Sequence, residues 1–311
     1  MTAAAIDTPD QHHGAAAGAA LVLLSAAGFG AMAIFGKLAF EAGISTTTLL
    51  LVRFALGTAV FAGILAWRGE RIPRAGLAVG LGLGAIGYAT QAGLYFGALR
   101  ELDASLLALV LYTYPAWVTL AAFALGRERL DARRLLALLL SSTGLVIVLA
   151  GAAAGSFDAL GTALGLGAAL AYTAYILVAD ATGVARAPFA LSTLVCAGAT
   201  VTFAVVGAIT GELDFGFEPE GWLWLACIAT VSTALPIAAF FAGLARVGPS
   251  SAAILSTFEP VVTVTLAYLA FDETLSLLQL GGAALVLAAA AEKVAGSAKT
   301  ASMSAWRVTT W

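Results

Sequence analysis

The chain has 311 residues, of which 61% are hydrophobic and 11% are charged, and its mean hydropathy is +0.98. Soluble domains are typically about 45–50% apolar, so this composition excludes a water-soluble globular protein and predicts a protein dissolved in lipid. The formal net charge of −3 gives no reason to expect nucleic acid as a partner.

Apolar stretches of about 20 residues recur along the chain, each long enough for a helix to cross a hydrocarbon core of roughly 30 Å. Lipid offers no partner to unpaired backbone groups, and the alternating pattern of a β-barrel strand is absent, so these spans must be helices. The predicted fold is therefore an all-α integral membrane bundle. Ten spans are predicted, at about 17–40, 46–67, 75–98, 104–125, 132–151, 159–179, 187–210, 221–244, 249–270 and 275–291.

The ten spans divide into two sets of five, in residues 14–151 and 156–295. The polar stretch 1–13 and residues 296–311 are expected to be tails. Threading the spans through a membrane leaves 12 basic residues on the side of both termini and two, Lys37 and Arg100, on the other side. By the positive-inside rule, both termini are predicted to be cytoplasmic.

Part of the chain repeats itself at a constant offset of 145 residues. Residues 96–130 align with residues 241–275, and eight of the 35 aligned positions are identical. The strongest matches are Pro115 and Glu128, which recur with the same 13-residue spacing. Five spans per half place equivalent positions on opposite sides of the membrane. The repeat thus predicts inverted-topology halves, which permit alternating access in a secondary transporter.

The two copies resemble the signature of the drug/metabolite transporter superfamily, EamA type, whose members have two five-helix halves. That signature is a Pro, an apolar run and a Glu that closes the fourth and ninth helices, here Pro115 to Glu128 and Pro260 to Glu273. The aromatic third and fourth spans are further similar to YddG-type exporters of aromatic and other bulky amino acids. This resemblance implies export from the cytoplasm across a bacterial inner membrane.

Aromatic and amide side chains are concentrated in the third, fourth and sixth predicted spans. Interfacial belts explain aromatic residues near span ends, but several of these residues lie mid-span, which favours a central cavity. Rings offer flat apolar area and cation–π attraction, while hydroxyl and amide groups supply directed hydrogen bonds. The candidate cavity residues are Tyr88, Gln91, Tyr95, Tyr112, Tyr114, Trp117, Tyr172 and Tyr175.

Three charged residues fall within or beside the predicted spans, where ionisable groups usually face a cavity or a partner. Glu259 is the deepest acid, and its possible roles are contact with a substrate ammonium, protonation, or a structural hydrogen bond beside Pro260. Lys37, which resembles a basic residue often found late in the family's first helix, belongs either to a substrate carboxylate site or gate, or to an interfacial anchor. Arg53 is expected to snorkel to the interface on its long stem.

Three prolines are candidate hinges, since a proline inside a helix removes a backbone hydrogen bond and bends the axis. These are Pro115, Pro236 and Pro260, for which simple packing kinks are the alternative.

These features predict a secondary transporter that exports aromatic or other bulky neutral amino acids and related metabolites. A drug or quaternary-amine efflux protein would use the same cavity and Glu259, and a passive channel is a further alternative. An enzyme is disfavoured because the histidines, His12 and His13, lie in the predicted tail and no span carries paired acids or zinc-ligand spacing. No cofactor or metal is expected. The expected partners are a small-molecule substrate and the lipid bilayer, with a single chain enclosing the site.

Overall fold

The computed structural model describes residues 9–72, 74–126, 132–152, 158–182 and 188–288. Within these ranges the regular elements are all helical. Seven helical stretches there are long and apolar enough to cross a membrane, and two shorter apolar helices, Glu259–Phe271 and Leu277–Ala288, follow them. The all-α prediction is therefore confirmed, whereas the count of ten spans stays a prediction.

Among the described residues, two short π-helical segments interrupt the α-helices, and we call them π1 (Leu83–Tyr88) and π2 (Thr230–Ala234). The first α-helix begins at Pro9, within the stretch expected to be a tail, and the predicted tail 296–311 lies outside the described residues. The α-helices are α1 Pro9–Gly30, α2 Met32–Glu41, α3 Thr46–Arg68, α4 Arg74–Gly82, α5 Ala89–Glu101, α6 Ala104–Leu111, α7 Tyr114–Ala124, α8 Ala132–Ala152, α9 Ala159–Thr182, α10 Pro188–Thr210, α11 Gly221–Ala229, α12 Leu235–Ser256, α13 Glu259–Phe271 and α14 Leu277–Ala288.

The interruptions recur at the sequence offset of 145 residues. Shifted by that offset, π1 overlaps π2. The break at residues 112–113, between α6 and α7, shifts onto residues 257–258, the break between α12 and α13. The similarity of the two halves thus extends from residue identities to the places where helical geometry changes.

The structure differs from the predicted spans at two places. The span predicted at 104–125 is two helices, α6 and α7, and no break separates the spans predicted at 221–244 and 249–270, because α12 continues through Pro249. A proline removes one backbone hydrogen bond, which membrane helices tolerate when neighbouring groups compensate. The break in this region lies instead at residues 257–258.

The three prolines follow interruptions rather than creating them. Pro115 and Pro260 are each the second residue of a helix, where the missing N–H would have had no intrahelical partner. The prediction that these two bend a continuous helix is therefore wrong. Pro236 is the second residue of α12 and is separated from π2 by Leu235 alone, so its missing hydrogen bond falls beside an irregular part of the helix.

Helices of the first half pack against helices of the second half in reciprocal pairs. The strongest pairings are α1 with α12, its counterpart α5 with α9, and α3 with α10. Likewise π1 packs on α10, and π2 packs on α3. At the π1 contact the two backbones touch, since a Cβ on Gly84 would lie 2.1 Å from the Val195 carbonyl oxygen and one on Gly198 would lie 2.2 Å from that of Leu81.

Candidate substrate-binding site

Five of the predicted tyrosines form a continuous row of ring contacts, which we call the tyrosine row. Along it the ring centroids are 5.9, 4.8, 6.1 and 5.4 Å apart, within the range of favourable aromatic pairs. The row joins the end of π1 and the α6–α7 break to α9 of the other half. Its members, in order of contact, are Tyr112, Tyr114, Tyr172, Tyr175 and Tyr88.

One end of the row contacts Glu259. The Tyr112 hydroxyl lies 3.1 Å from Oε2 of Glu259 and 2.9 Å from the Ser256 carbonyl oxygen, so its single proton is donated to one of these acceptors at a time. Among the described residues, no basic nitrogen lies within 4.0 Å of the Glu259 carboxylate. Because Tyr112 belongs to the first break and Glu259 starts the helix after the second, the two breaks face each other here.

The other end of the row lies beside Arg53, the eighth residue of α3. Arg53 is only 2% exposed, so the expectation that it snorkels is wrong. Its Nε donates a hydrogen bond to Thr233 Oγ1 at 3.1 Å, and Tyr88 is a polar neighbour of its guanidinium. It also lies over the rings of Phe54 and Phe96, at 5.0 and 5.5 Å from their centroids. These contacts hold the side chain inside the bundle.

The remaining predicted aromatic and amide residues lie near the row rather than in it. Gln91 and Tyr95 are buried on α5, and the Tyr95 ring packs edge-on against Phe96 at 5.3 Å. The Trp117 Nε1 donates to Thr113 Oγ1 at 3.2 Å, which ties the indole to the first break.

Lys37 contacts acidic residues rather than the tyrosine row. Its Nζ lies 2.7 Å from Glu273 Oε1 and 3.9 Å from Asp103 Oδ1, and it sits over the Phe271 ring at 5.5 Å. We call Lys37, Asp103 and Glu273 the ion-pair cluster. It connects α2 to the α5–α6 connection and to the segment after α13.

Glu273 caps a helix of the opposite half, not the helix that precedes it. Its carboxylate accepts hydrogen bonds from the backbone N–H groups of Ala104 and Ser105, both at 3.0 Å, and from Ser105 Oγ at 2.9 Å. Those N–H groups begin α6 and have no intrahelical partner. The signature glutamate of the second copy therefore holds a broken helix of the first. The matching Glu128 lies outside the described residues.

The cluster shifts the ionisation of both acids. Burial raises the pKa of Glu273, but the hydrogen bonds from Lys37, Ser105 and Ala104 outweigh that effect and hold its pKa below the usual carboxyl value. Burial, together with the nearby charge of Glu273, raises the pKa of Asp103 against the opposing effect of Lys37. Glu273 is thus the charged partner of Lys37 at neutral pH.

Comparison with known proteins agrees with this architecture. A model of the EamA-like transporter family matches residues 16–150 and 159–291, one match in each half. An uncharacterized transporter of Archaeoglobus fulgidus is 28% identical over 275 residues, which cover 87% of this chain and 94% of that protein. A solved structure shares the fold with a TM-score of 0.60 at 21% identity, and the match covers 92% of this chain and 99% of the other. The chain therefore belongs to the EamA-like transporter family.

Proposed function

We propose that this protein is a secondary transporter that exports aromatic or other bulky neutral amino acids and related metabolites from the cytoplasm. The tyrosine row, with Glu259 at the point where the two helix breaks face each other, is the observation that carries the proposal. Discontinuous helices at a repeat interface are where secondary transporters build substrate sites. The ring faces would contact a bulky apolar side chain, and Glu259 would receive the ammonium group or a proton.

Transport proceeds by alternating access between two inverted halves. The reciprocal pairing of α1 with α12 and of α5 with α9 supports exchange between two equivalent packings. We assign the ion-pair cluster to a gate on the outer side, because Glu273 already neutralises Lys37 and leaves it a poor site for a substrate carboxylate. Opening on that side would require separation of Glu273 from both Lys37 and the start of α6.

The protein is further proposed to work as a monomer in a bacterial inner membrane, with both termini in the cytoplasm. The split of 12 basic residues against two across the predicted spans supports this orientation. It makes the end of the bundle that holds the ion-pair cluster the outer end.

Reconstitution into liposomes tests the proposal. Radiolabelled L-phenylalanine and L-leucine should enter proteoliposomes faster than empty liposomes, with saturation and with mutual competition. Flux without saturation would indicate a channel, and no flux above empty liposomes would overturn the amino-acid assignment. Imposing a pH gradient in either direction then separates proton coupling from facilitated diffusion.

Efflux of quaternary amines is the second candidate, because Glu259 lacks a basic partner among the described residues and lies beside stacked rings. Tetraphenylphosphonium is the probe for this alternative, since it carries the same single positive charge as a quaternary amine, on phosphorus instead of nitrogen. If it is transported while L-phenylalanine is not, the drug-efflux reading replaces the amino-acid one.

A further inference from the structure

Arg53 is a buried cation without a counter-ion. Its side chain is 2% exposed, and among the described residues no carboxylate oxygen lies within 4.0 Å of it. An unpaired charge at membrane depth is strongly unfavourable, and charges found there are usually paired or serve ligand pathways. The positive charge of Arg53 is therefore not balanced by a carboxylate of the described residues.

The guanidinium also has hydrogen-bond donors to spare. Of the five N–H donors of an arginine, the Nε–H is used on Thr233 Oγ1. Even if the hydroxyl of the neighbouring Tyr88 accepted from the guanidinium, its two lone pairs would take at most two more donors. At least two donors are left on a planar fork, the geometry that matches a carboxylate with two parallel hydrogen bonds.

Arg53 sits where the two halves meet. Its two polar neighbours, Tyr88 and Thr233, are 145 residues apart and so occupy equivalent positions of the repeat, at the end of π1 and within π2. π-Helical segments frequently mark functional sites. Substrate sites of transporters built from inverted repeats lie at this interface.

The two halves differ at this point. The position equivalent to Arg53 is Gly198, where an added Cβ would meet the Leu81 carbonyl oxygen at 2.2 Å. On that side α10 touches π1 backbone to backbone, whereas on the Arg53 side the contact between α3 and π2 includes a charged side chain. At this pair of equivalent positions, the first half has an arginine and the second half has no side chain.

The surroundings of Arg53 suit a ligand that carries both a ring and an acid group. The Tyr88 ring, which ends the tyrosine row, packs against Phe54 at 5.7 Å, and the guanidinium lies over Phe54. We infer that Arg53 binds the carboxylate of the transported amino acid, with the side chain of that substrate lying against the tyrosine row. This inference rests on the proposed function and makes the carboxylate a required part of the substrate.

A competition series in proteoliposomes tests the inference with the wild-type protein. Unlabelled L-phenylalanine, L-phenylalaninamide and tetraphenylphosphonium compete against radiolabelled L-phenylalanine. The amide keeps the ring and the ammonium group but lacks the carboxylate. It should compete roughly 10- to 100-fold more weakly than L-phenylalanine, the range that follows from losing a charge-assisted hydrogen-bond pair. Equal potency of amide and acid would overturn the inference.

The Arg53→Gln variant should raise the KM for L-phenylalanine by about the same 10- to 100-fold and change kcat much less. The potency of the amide should change less than about threefold, since its neutral carboxamide lacks the negative charge and the second oxygen that pair with the guanidinium fork. Arg53→Lys, which keeps the charge but loses the fork, should lie between the two. Arg68→Gln, at the exposed end of the same helix, is the matched control.

The outcomes are distinguishable. If the wild type moves no amino acid, the proposed function fails before the inference is reached. If the wild type transports and Arg53→Gln weakens acid and amide equally, Arg53 is structural and the inference fails. If Arg53→Gln does not yield a monodisperse protein, Arg53→Lys decides, and a selective loss of affinity for the acid supports the inference whereas equal losses overturn it.

Discussion

Two cations on helices of the first half, Lys37 and Arg53, have counter-ions in the opposite order to the one that their burial would suggest. The side chain of Lys37 is 20% exposed, yet it has two carboxylates within 4.0 Å, whereas Arg53 is 2% exposed and has none among the described residues. Since the need for a counter-ion grows with burial, the comparison teaches that the two charges serve different ends. Lys37 holds three segments together through its ion pairs, whereas the charge of Arg53 is available to pair with the carboxylate of a bound substrate.

The largest effect is expected when the charge of Lys37 is removed. Lys37→Gln leaves Glu273 without its cation and should lower stability by about 2–4 kcal/mol, since Glu273 keeps its other hydrogen bonds but becomes a largely buried acid without a counter-ion. The thermal midpoint in detergent should fall by roughly 5–10 °C. The KM for L-phenylalanine should change little.

The double variant with Glu273→Gln is the control for this prediction, because removing both partners should restore part of the loss. A Lys37→Gln protein that keeps its thermal midpoint but loses substrate affinity would reverse the assignment. Lys37 would then be the carboxylate site that the sequence alone left open.

The far end of the tyrosine row provides the next test. Tyr112→Phe removes the hydroxyl that contacts Glu259 and the Ser256 carbonyl oxygen, a loss of about 1–2 kcal/mol. If the row is a substrate path, most of this loss should appear as a roughly tenfold lower kcat/KM for L-phenylalanine. Tyr268→Phe, on the exposed face of α13, should leave transport unchanged, and equal effects of the two variants would remove Tyr112 from the site.

The sequence indicated which tyrosines lie close together better than it indicated the partners of the charges, for a physical reason. Tyr172 and Tyr175, or Tyr88 and Tyr95, share a helix face by local spacing, and their mid-span position already favoured the interior. The hydrogen bond of Arg53 depends on Thr233, which lies 180 residues away. Thr233 belongs to a π segment that the hydrophobic pattern of the sequence does not predict. The Lys37 contact depends on Glu273, 236 residues away. Charges whose partners lie in the other half cannot be assigned from local patterns.

The helix breaks show the same limit. Pro115 and Pro260 were recognised as irregular positions, but a proline inside an apolar run does not reveal whether the helix bends at it or begins just before it. Their placement in a first helical turn follows from the break that precedes each of them. That break is stabilised across the halves, by Tyr112 on Ser256 and Glu259, and not by the local sequence.

Acid should weaken the ion-pair cluster selectively. Because the pKa of Glu273 is lowered in the folded protein, its contribution to stability is complete above the ordinary carboxyl value of about 4.3. The contribution is lost as the pH falls through the lowered pKa. The thermal midpoint of the wild type should therefore fall more steeply below pH 4.3 than that of Glu273→Gln. Asp103 has a raised pKa and the opposite sign. Burial is the larger cause of that shift and is present in both proteins, although the part caused by Glu273 is lost in Glu273→Gln. Parallel curves would show that Glu273 does not hold the cluster.

The smallest effect on stability and transport is expected at Arg68. This exposed cation belongs neither to the ion-pair cluster nor to the proposed substrate site. It is 47% exposed, pairs with Glu70 two residues along the chain and lies over the Phe189 ring at 5.2 Å. Exposed ion pairs and exposed cation–π contacts each contribute up to about 1 kcal/mol, so Arg68→Gln should lower the thermal midpoint by less than about 5 °C and leave the KM unchanged. If Arg68→Gln lowered the thermal midpoint as much as Lys37→Gln, the exposure of Lys37, Arg53 and Arg68 would not determine how much each charge depends on a protein partner. The inference about Arg53 assumes that water stabilises an exposed charge and that a buried charge needs another partner. That assumption would then fail, and the burial of Arg53 would no longer support the inference.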